Sequence, residues 1–561
     1  MPLGPDHETL VWASASVRHV ARVTNLLLAG RRFRTVGGDP RDAAALEHVL
    51  TGLGARRVVD DEQVDQLWCL GDPDTSTTHV ERAAERPRGG TLLVVDAGRH
   101  VPAVDEDAFG PVSPARPGVL GVPALSDDVF LVSTGREPED DPAAVARLRW
   151  ARRSMPVARA VAAELRDSGL LHGTRVGVAM FLEPKTAVLS LLLRDAGAEV
   201  VVYAHADETD DAVAGALRDA GLPVHASSTA TPAEQKDLAL ALLDAAPQIL
   251  LDDGSHVIRL AHQERPGLLP TMLGAAEETT SGLRPLRTMA ERGALGIPVV
   301  AVNDARTKTL FDNRYGTGQS TVFATLDLVD RLTSDAHRVR PGGAATVAGF
   351  GPVGEGVAQV LRALGFRVTV ADTDPVRALQ AVVAGYAVAP LVDAVRGADL
   401  VVSATGVRDT LSLPVLRACA PGAVVSVAGG VDQELAVDDA LAAGAVPTAE
   451  ADAVERFTFP DGHDVLVLDR GGCVNITAAE GNPIEIMDLS FAVQLGAVRM
   501  LLERGDELDR AVVPIDPAVD EATARTALAA FAARTAPPGD PVARPADRVQ
   551  DVRTTRFGDP A

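Results

Sequence analysis

A lysine set among carboxylates can move protons, and one stretch of the 561-residue chain concentrates such groups. Residues 277–313 carry Glu277 and Glu278, the hydroxyls of Thr279-Thr280-Ser281, the pair Asn303-Asp304 and the run Thr307-Lys308-Thr309-Leu310-Phe311-Asp312-Asn313. Within it, 297–302 (IPVVAV) is an apolar, β-branched run of strand length. Charged groups just past the end of a buried strand stand where open α/β sheets hold ligands. The competing reading is a strand exit with solvated charges, the usual fate of charged side chains. A second acidic pair, Asp252-Asp253-Gly254, ends another apolar run, 248–251 (QILL).

A third cluster reads the same way more sharply. Residues 345–348 (ATVA) are of strand type and run into Gly349-Phe350-Gly351-Pro352-Val353-Gly354, a GxGxxG. A helical stretch, 355–364, then a second strand, 367–371 (RVTVA), lead to Asp372. The first glycine makes the tight turn, the second admits a pyrophosphate to the backbone, and the third lets helix and strand pack closely. The helix N-terminus offers unpaired N–H groups to phosphates. An acid ~20 residues on is placed for a ribose 2′-OH, which favours NAD over NADP. Strands at 400–402 and 424–427 continue the pattern, and the first enters Ser403-Ala404-Thr405-Gly406, a small-residue turn suited to lining the cofactor.

The elements that must position these groups follow from length and alternation. At roughly 150 residues per domain the chain holds three or four units. Residues 1–141 read as a small α/β layer with strands at 91–95 (TLLVV) and 129–132 (VFLV), and with loops at 86–90 and 102–123. No cluster there proposes chemistry. The charged, proline-containing stretch 135–144 marks a boundary. A helix from 143 to about 167, strands at 175–181 and 199–203, a helix at 185–196 and the 248–251 strand give the second unit a doubly wound parallel pattern. After a strand at 465–468 comes a helix from about 486 to 503. The tail 536–561 is rich in Pro and charge and is expected to be disordered. The expected division is 1–141, 142–325, 326–479, 480–535 and 536–561.

A formal charge of −24 argues against nucleic acid as a partner, which needs a basic footprint. Cys69, Cys419 and Cys473 lack metal spacing, so no metal site is expected and free thiols are the default. The N-terminus has no secretory pattern, and no apolar run reaches the ~18–20 residues of a membrane span. A cytoplasmic protein is expected.

In this order the motifs resemble the S-adenosylhomocysteine hydrolase family. They are 149–157 (RWARRSMPV), 182–189 (LEPKTAVL), Asp252-Asp253-Gly254, 277–282 (EETTSG), 303–313, the GFGPVGEG loop, Asp374-Pro375 and 480–494 (EGNPIEIMDLSFAVQ). The resemblance runs from about residue 141 to 535. The short spacing before Asp252 and the absence of a lysine–tyrosine ending are similar to the compact bacterial and archaeal branch. It implies an α/β fold in which a Rossmann NAD-binding domain is inserted into a doubly wound substrate domain, here with an N-terminal α/β extension. It also implies a homo-oligomer, dimer or tetramer, whose subunits cover each other's tightly held NAD.

The family's chemistry oxidises a ribose 3′-OH, removes the acidified C4′ proton, eliminates the 5′ substituent, adds water and reduces the ketone. Carried over by position, Lys308 and Asp312 handle the 3′-OH proton, Glu278 binds the ribose hydroxyls, Asp253 serves proton transfer near C4′ and C5′, and Asn303 orients the lysine. Among carboxylates and a cationic nicotinamide, Lys308 is expected to have its pKa tuned toward the base role. Thr279, Thr280, Ser281, Asn313 and Asn475 touch NAD together with Gly349, Gly351, Pro352, Val353, Gly354, Asp372, Thr405 and Gly406. The substrate side is Phe181, Glu183, Lys185, Thr186, Asn482 and His256.

The departures are concentrated. Phe181, Gly430 and Asn482 stand where the family has three histidines, and Arg377 stands where it has an asparagine. Histidine is the natural proton shuttle near neutrality; none of its three replacements titrates. His256 is read either as a relocated proton donor or as a surface histidine after a turn. The oxidation half is expected to be intact and the 5′ half rebuilt. That points to a purine nucleoside losing water to give an exocyclic alkene, as in angustmycin-type antibiotics. The alternatives are authentic S-adenosylhomocysteine hydrolysis, epimerisation through the keto intermediate, and a non-enzymatic NAD-binding regulator.

Overall fold

The computed structural model describes residues 6–85, 90–137, 144–332, 339–429 and 433–531. Among them the chain builds three sheets of seven, seven and eight strands. The expectations for Gly430 and for the tail 536–561 fall outside the described residues.

The first sheet runs Arg56–Arg57, Arg32–Val36, Gln66–Cys69, Leu92–Asp96, Val129–Ser133, Val119–Gly121, Ser113–Arg116. Its first five strands are parallel and its last two form an antiparallel hairpin. That hairpin, with a helical turn at Glu106–Phe109, corrects the expected loop over 102–123. Gly118, at φ +75°, makes its turn. Pro114 is tolerated because an edge strand has donors to spare.

The second sheet is wholly parallel: Val224–His225, Glu199–Tyr203, Arg175–Ala179, Ile249–Asp252, Gly274–Glu277, Val299–Ala301, Val512–Pro514. Helices cover both faces, so its central strands are continuous runs of Val, Leu, Ile and Ala. The order of connection reverses between Arg175–Ala179 and Ile249–Asp252, which opens a crevice at their carboxyl ends. Two local expectations are corrected. The 297–302 run contributes only Val299–Ala301, because Pro298 has no N–H for the ladder and Val302–Asp304 already turns as a 3₁₀ helix. The helix expected from 143 to 167 is two, Ala144–Arg153 and Pro156–Ser168. Pro156 pushes Met155 out of the helical region (φ −116°, ψ 61°).

The third sheet runs Ala387–Val388, Arg367–Ala371, Ala344–Ala348, Leu400–Ser403, Ala423–Val427, Asp464–Leu468, Val454–Thr458, Val446–Ala451. The first six strands are parallel and an antiparallel hairpin closes one edge. Gly349 turns at φ +89°. A Cβ on Gly354 would fall 1.9 Å from the Gly349 carbonyl oxygen, so the glycine pattern is steric. The helix Pro352–Ala363 follows.

The chain then returns. Helix Ile484–Arg504, buried along most of its length, packs on Pro156–Ser168 and leads to Val512–Pro514 at the edge of the second sheet. Asp488 on it accepts from the Val157 and Ala158 amides at 2.9 and 2.7 Å, capping a helix whose own N-cap, Met155, has no acceptor.

Candidate active site

A cavity of about 1010 Å³ lies between the carboxyl ends of the second and third sheets. From the second sheet come Ala179, Asp252, Asp253 and Glu278; from the third come Gly351, Pro352, Val353, Ala404, Thr405 and Gly406. The two switch points therefore face one space, the position both sheets assign to ligands.

Lys308 is buried at its wall, at the end of a short helical turn, Arg306–Lys308. The next segment, Thr309–Gly316, is a π-helix, a rare geometry that recurs at functional sites. It brings Asp312 Oδ2 within 2.8 Å and Asn313 Oδ1 within 2.9 Å of Lys308 Nζ. Asn303 Oδ1 lies at 3.4 Å and Glu278 Oε1 at 3.9 Å. Asn303 stands behind the lysine rather than in the wall, and its amide oxygen also accepts from Asn313 Nδ2 at 3.2 Å. The Thr309 hydroxyl donates to the Asn303 carbonyl, and the Thr307 amide donates to Asp520 at 2.8 Å.

Burial and charge act on Lys308 in opposite directions. Burial is the largest single influence on Lys308 and pulls its pKa down, but Asp312, Glu278 and Asp253 together outweigh it, so the net direction is up. Glu278 is raised, first by burial; it accepts from Ser490 Oγ and, at 2.7 Å, from Gln494 Nε2. Asp253 is pushed up to about 7, first by burial and then by Glu278, against the pull of Lys308.

The turn bearing Asp253 is braced by Glu277, fully buried, which accepts from the Gly254, Ser255 and Thr279 amides at 2.9, 2.8 and 2.9 Å. Thr279 caps the helix Thr280–Glu291, and Thr280 and Ser281 line the cavity beside it.

On the opposite side Phe181, Glu183, Lys185 and Thr186 line the wall. Glu183 caps helix Pro184–Asp195 and pairs with the buried Lys185 at 2.6 Å. Lys185 Nζ also donates to the Glu480 carbonyl at 2.6 Å. Asn482 Nδ2 donates to Asp312 Oδ1 at 2.7 Å and to Thr317 Oγ1 at 3.1 Å, while its Oδ1 accepts from Ser320 at 2.6 Å. It therefore works as a strut beneath the Lys308–Asp312 pair. His256, exposed at the start of helix His256–Glu264, borders the cavity next to Asp253.

The wall fits a dinucleotide. Gly351 leads into the helix Pro352–Ala363, whose amino end faces the cavity as a phosphate site requires. Asn475 Oδ1, buried, has no hydrogen-bond partner among the described residues, as expected of an acceptor awaiting an amide donor. Three expected contacts lie outside the wall. Gly349 and Gly354 shape the turn from behind. Asp372 accepts from the Phe350 and Asp374 amides at 2.6 and 2.8 Å and braces the glycine loop. Arg377 is in the wall instead, 3.5 Å from where a Cβ on Gly351 would sit.

Sequence reasoning missed several of these groups. Glu434 is buried and holds the Thr405–Gly406 turn through both amides, at 2.9 and 2.8 Å. Ser490 and Gln494 stand four apart on one face of the helix Ile484–Arg504 and are both fully buried, a pattern that signals a shared polar partner. Glu208 and His205 also line the cavity, and nothing in their spacing marks them.

Taken together, the fold and cavity define an NAD-dependent enzyme with a lysine–carboxylate centre beside the cofactor site. The family model for the S-adenosyl-L-homocysteine hydrolase NAD-binding domain matches residues 321–481, and the model for S-adenosyl-L-homocysteine hydrolase matches 143–269. An adenosylhomocysteinase of Thermotoga maritima is 38% identical over 384 residues, 68% of this chain and 93% of the relative. One from Archaeoglobus fulgidus is 38% identical over 385 residues, 68% and 93%. An S-inosyl-L-homocysteine hydrolase of Methanopyrus kandleri is 36% identical over 396 residues, 70% and 92%. The chain belongs to the S-adenosylhomocysteine hydrolase family, and its cofactor is NAD. Among the described residues no cluster could hold a metal ion, and no helix is long and apolar enough to cross a membrane.

Proposed function

We propose that the protein removes water from the 5′ side of a purine nucleoside, giving an exocyclic 4′,5′-alkene with the 3′-OH restored. Thr279, Thr280, Ser281 and the turn at 351–353 would hold NAD, which would supply the hydride acceptor for oxidation at the ribose 3′ carbon and the donor for the final reduction. Lys308 and Asp312 hold and move the 3′-OH proton; a positive charge bound beside Lys308 pulls its pKa back down. Glu278, fixed by Ser490 and Gln494, accepts from the ribose hydroxyls. Asp253, with a pKa of about 7, is matched to taking the C4′ proton near neutrality. That proton is acidic enough only while the neighbouring carbon is a ketone.

One observation carries the reading. The 3′ side is complete around Lys308, whereas two of the positions where the family has histidines hold Phe181, an apolar wall, and Asn482, whose amide is engaged with Asp312, Thr317 and Ser320 beneath Lys308 and cannot titrate. Water addition has lost its usual proton carriers there.

Hydrolysis of a nucleoside thioether is the second reading, supported by relatives that are adenosylhomocysteinases and S-inosyl-L-homocysteine hydrolases. Incubation with adenosine, S-adenosylhomocysteine and S-inosylhomocysteine separates the two. A product lighter than adenosine by one water is expected; release of homocysteine with no such product would sink the dehydration reading.

A further inference from the structure

Hydroxide is a far poorer leaving group than a thiolate, since water has a pKa of about 15.7 against about 8.5 for a thiol. A dehydrating site therefore needs an acid aimed at the 5′ oxygen, and Phe181 cannot be one. The backbone beside Phe181 is tied to another segment. The Leu182 amide donates to the Glu208 carbonyl at 2.9 Å, and the Asp210 amide donates to the Leu182 carbonyl at 3.0 Å. This fixes the 3₁₀ turn Ala206–Glu208 against Phe181, and Phe181, Glu208 and Asp253 all line the same cavity.

We infer that Glu208 is the general acid of the 5′ side, replacing by position what Phe181 cannot supply. The inference rests on the dehydration reading. Glu208 is half-buried, and no described residue donates a hydrogen bond to its carboxyl group. Burial raises its pKa well above the ordinary carboxylate range, and the carboxylates of Asp253, Asp207 and Asp252 add to the rise. The Tyr203 phenol, also facing it, is itself pushed up to about 12. Asp253, by contrast, feels Lys308 and settles at about 7. Lys308 favours the ionised form of Asp253 and the carboxylates around Glu208 favour its protonated form, which divides the two groups into a base and an acid.

The step balances. The C4′ proton passes to Asp253, and the electron pair of that C–H bond is held in the enolate of the 3′ ketone before it forms the C4′=C5′ double bond. The C5′–O bond breaks, its electrons leave with the oxygen, and that oxygen takes the Glu208 proton and departs as water. Asp253 is left protonated and Glu208 ionised; transfer of the proton between them restores the starting state.

The test uses the NAD-loaded protein with adenosine, comparing wild type with Glu208→Gln and Glu208→Asp. Reduction of the bound cofactor and exchange of the C4′ hydrogen with deuterated water precede departure of the 5′ oxygen, so both are expected to stay near wild type in Glu208→Gln. Alkene formation is expected to fall about 10²-fold or more, with partial recovery in Glu208→Asp. The wild-type alkene rate falls at alkaline pH as the acid ionises, and that limb disappears in Glu208→Gln. Alkene formation at wild-type rate in Glu208→Gln overturns the assignment of Glu208 while leaving dehydration intact. A wild type that exchanges C4′–H but makes no alkene overturns the dehydration reading, and the assignment with it.

Discussion

Lys308 sits in a set of charges that decides when it can act. Asp312 at 2.8 Å and the more distant Glu278 keep it protonated against its burial. Lys308→Ala removes a group positioned on both Asp312 and Asn313, so nucleoside-driven reduction of bound NAD should fall by about 10²–10⁴. An unchanged reduction amplitude and rate, followed by nicotinamide absorbance, would count against the base assignment. Asp253 makes a pH prediction with a fixed sign. As the base it must be ionised, so exchange of the C4′ hydrogen should rise with pH through about 7 and level off above it. Asp253→Asn should abolish the exchange; a flat profile in the wild type contradicts the role. Both residues were legible because Asp252-Asp253-Gly254 and 303–313 are among the motifs that carry the family resemblance; their place just past an apolar run alone left a solvated strand exit equally open. Glu208 was not, because its significance comes from a backbone pairing with Leu182 that links segments far apart in the chain.

At the scale of elements, the dinucleotide loop and the lysine are joined through glycines. The helix Pro352–Ala363 crosses the π-helix and the helix Thr317–Val329 at Gly356 and Gly318. A Cβ on Gly356 would lie 1.9 Å from the Arg314 carbonyl oxygen, and one on Gly318 would lie 2.7 Å from the Gly356 carbonyl carbon. Neither obstacle is a side chain that can swing aside. Gly356→Ala should therefore force the two helices apart, costing about 1–3 kcal/mol, and should weaken NAD retention by moving the glycine loop from the Lys308 centre. Thermal unfolding and bound NAD after gel filtration check it; a variant as stable as wild type with full cofactor would show that the crossing is looser than the geometry implies. The glycine loop itself was readable, since turn, strand and helix are local. The π-register of Thr309–Gly316 was not. The π-helix lies against Gly356, some forty residues away, and no local propensity encodes so rare a hydrogen-bond register.

At the scale of the molecule, the first sheet is fastened to the loop that carries Asn482. The Ile484 amide donates to the Asn25 carbonyl at 2.9 Å, Asn25 Nδ2 donates to the Glu480 carbonyl at 3.2 Å, and the Leu27 amide donates to Glu485 at 3.0 Å. Arg31 pairs with Glu485 in the interior, and Arg116 pairs with Glu480 at 3.0 Å. Arg147 joins Glu480 at 3.3 Å. Sequence reasoning found no chemistry in this region because arginines scattered over 31–147 mean nothing until the fold gathers them on one strap. Burial alone would raise the Glu480 pKa, but Arg116, Lys185 and Arg147 outweigh it and hold it down at about 2, against an ordinary 4.5. A depressed carboxylate stabilises the fold above its unfolded pKa and loses that contribution as pH falls toward the folded one. The difference is worth roughly 3 kcal/mol. Glu480→Gln should therefore be less stable than wild type at pH 7, and the gap should close between pH 4.5 and about 2. Arg116→Ala should weaken the same strap and release Asn482 from Asp312, lowering the rate of NAD reduction more than it lowers NAD affinity. Denaturant midpoints across that pH window read the first effect, and single-turnover NAD reduction reads the second. A stability gap that stays constant down to pH 2, or an Arg116→Ala variant with wild-type reduction, would mean that the first sheet only rests against the catalytic half without positioning it.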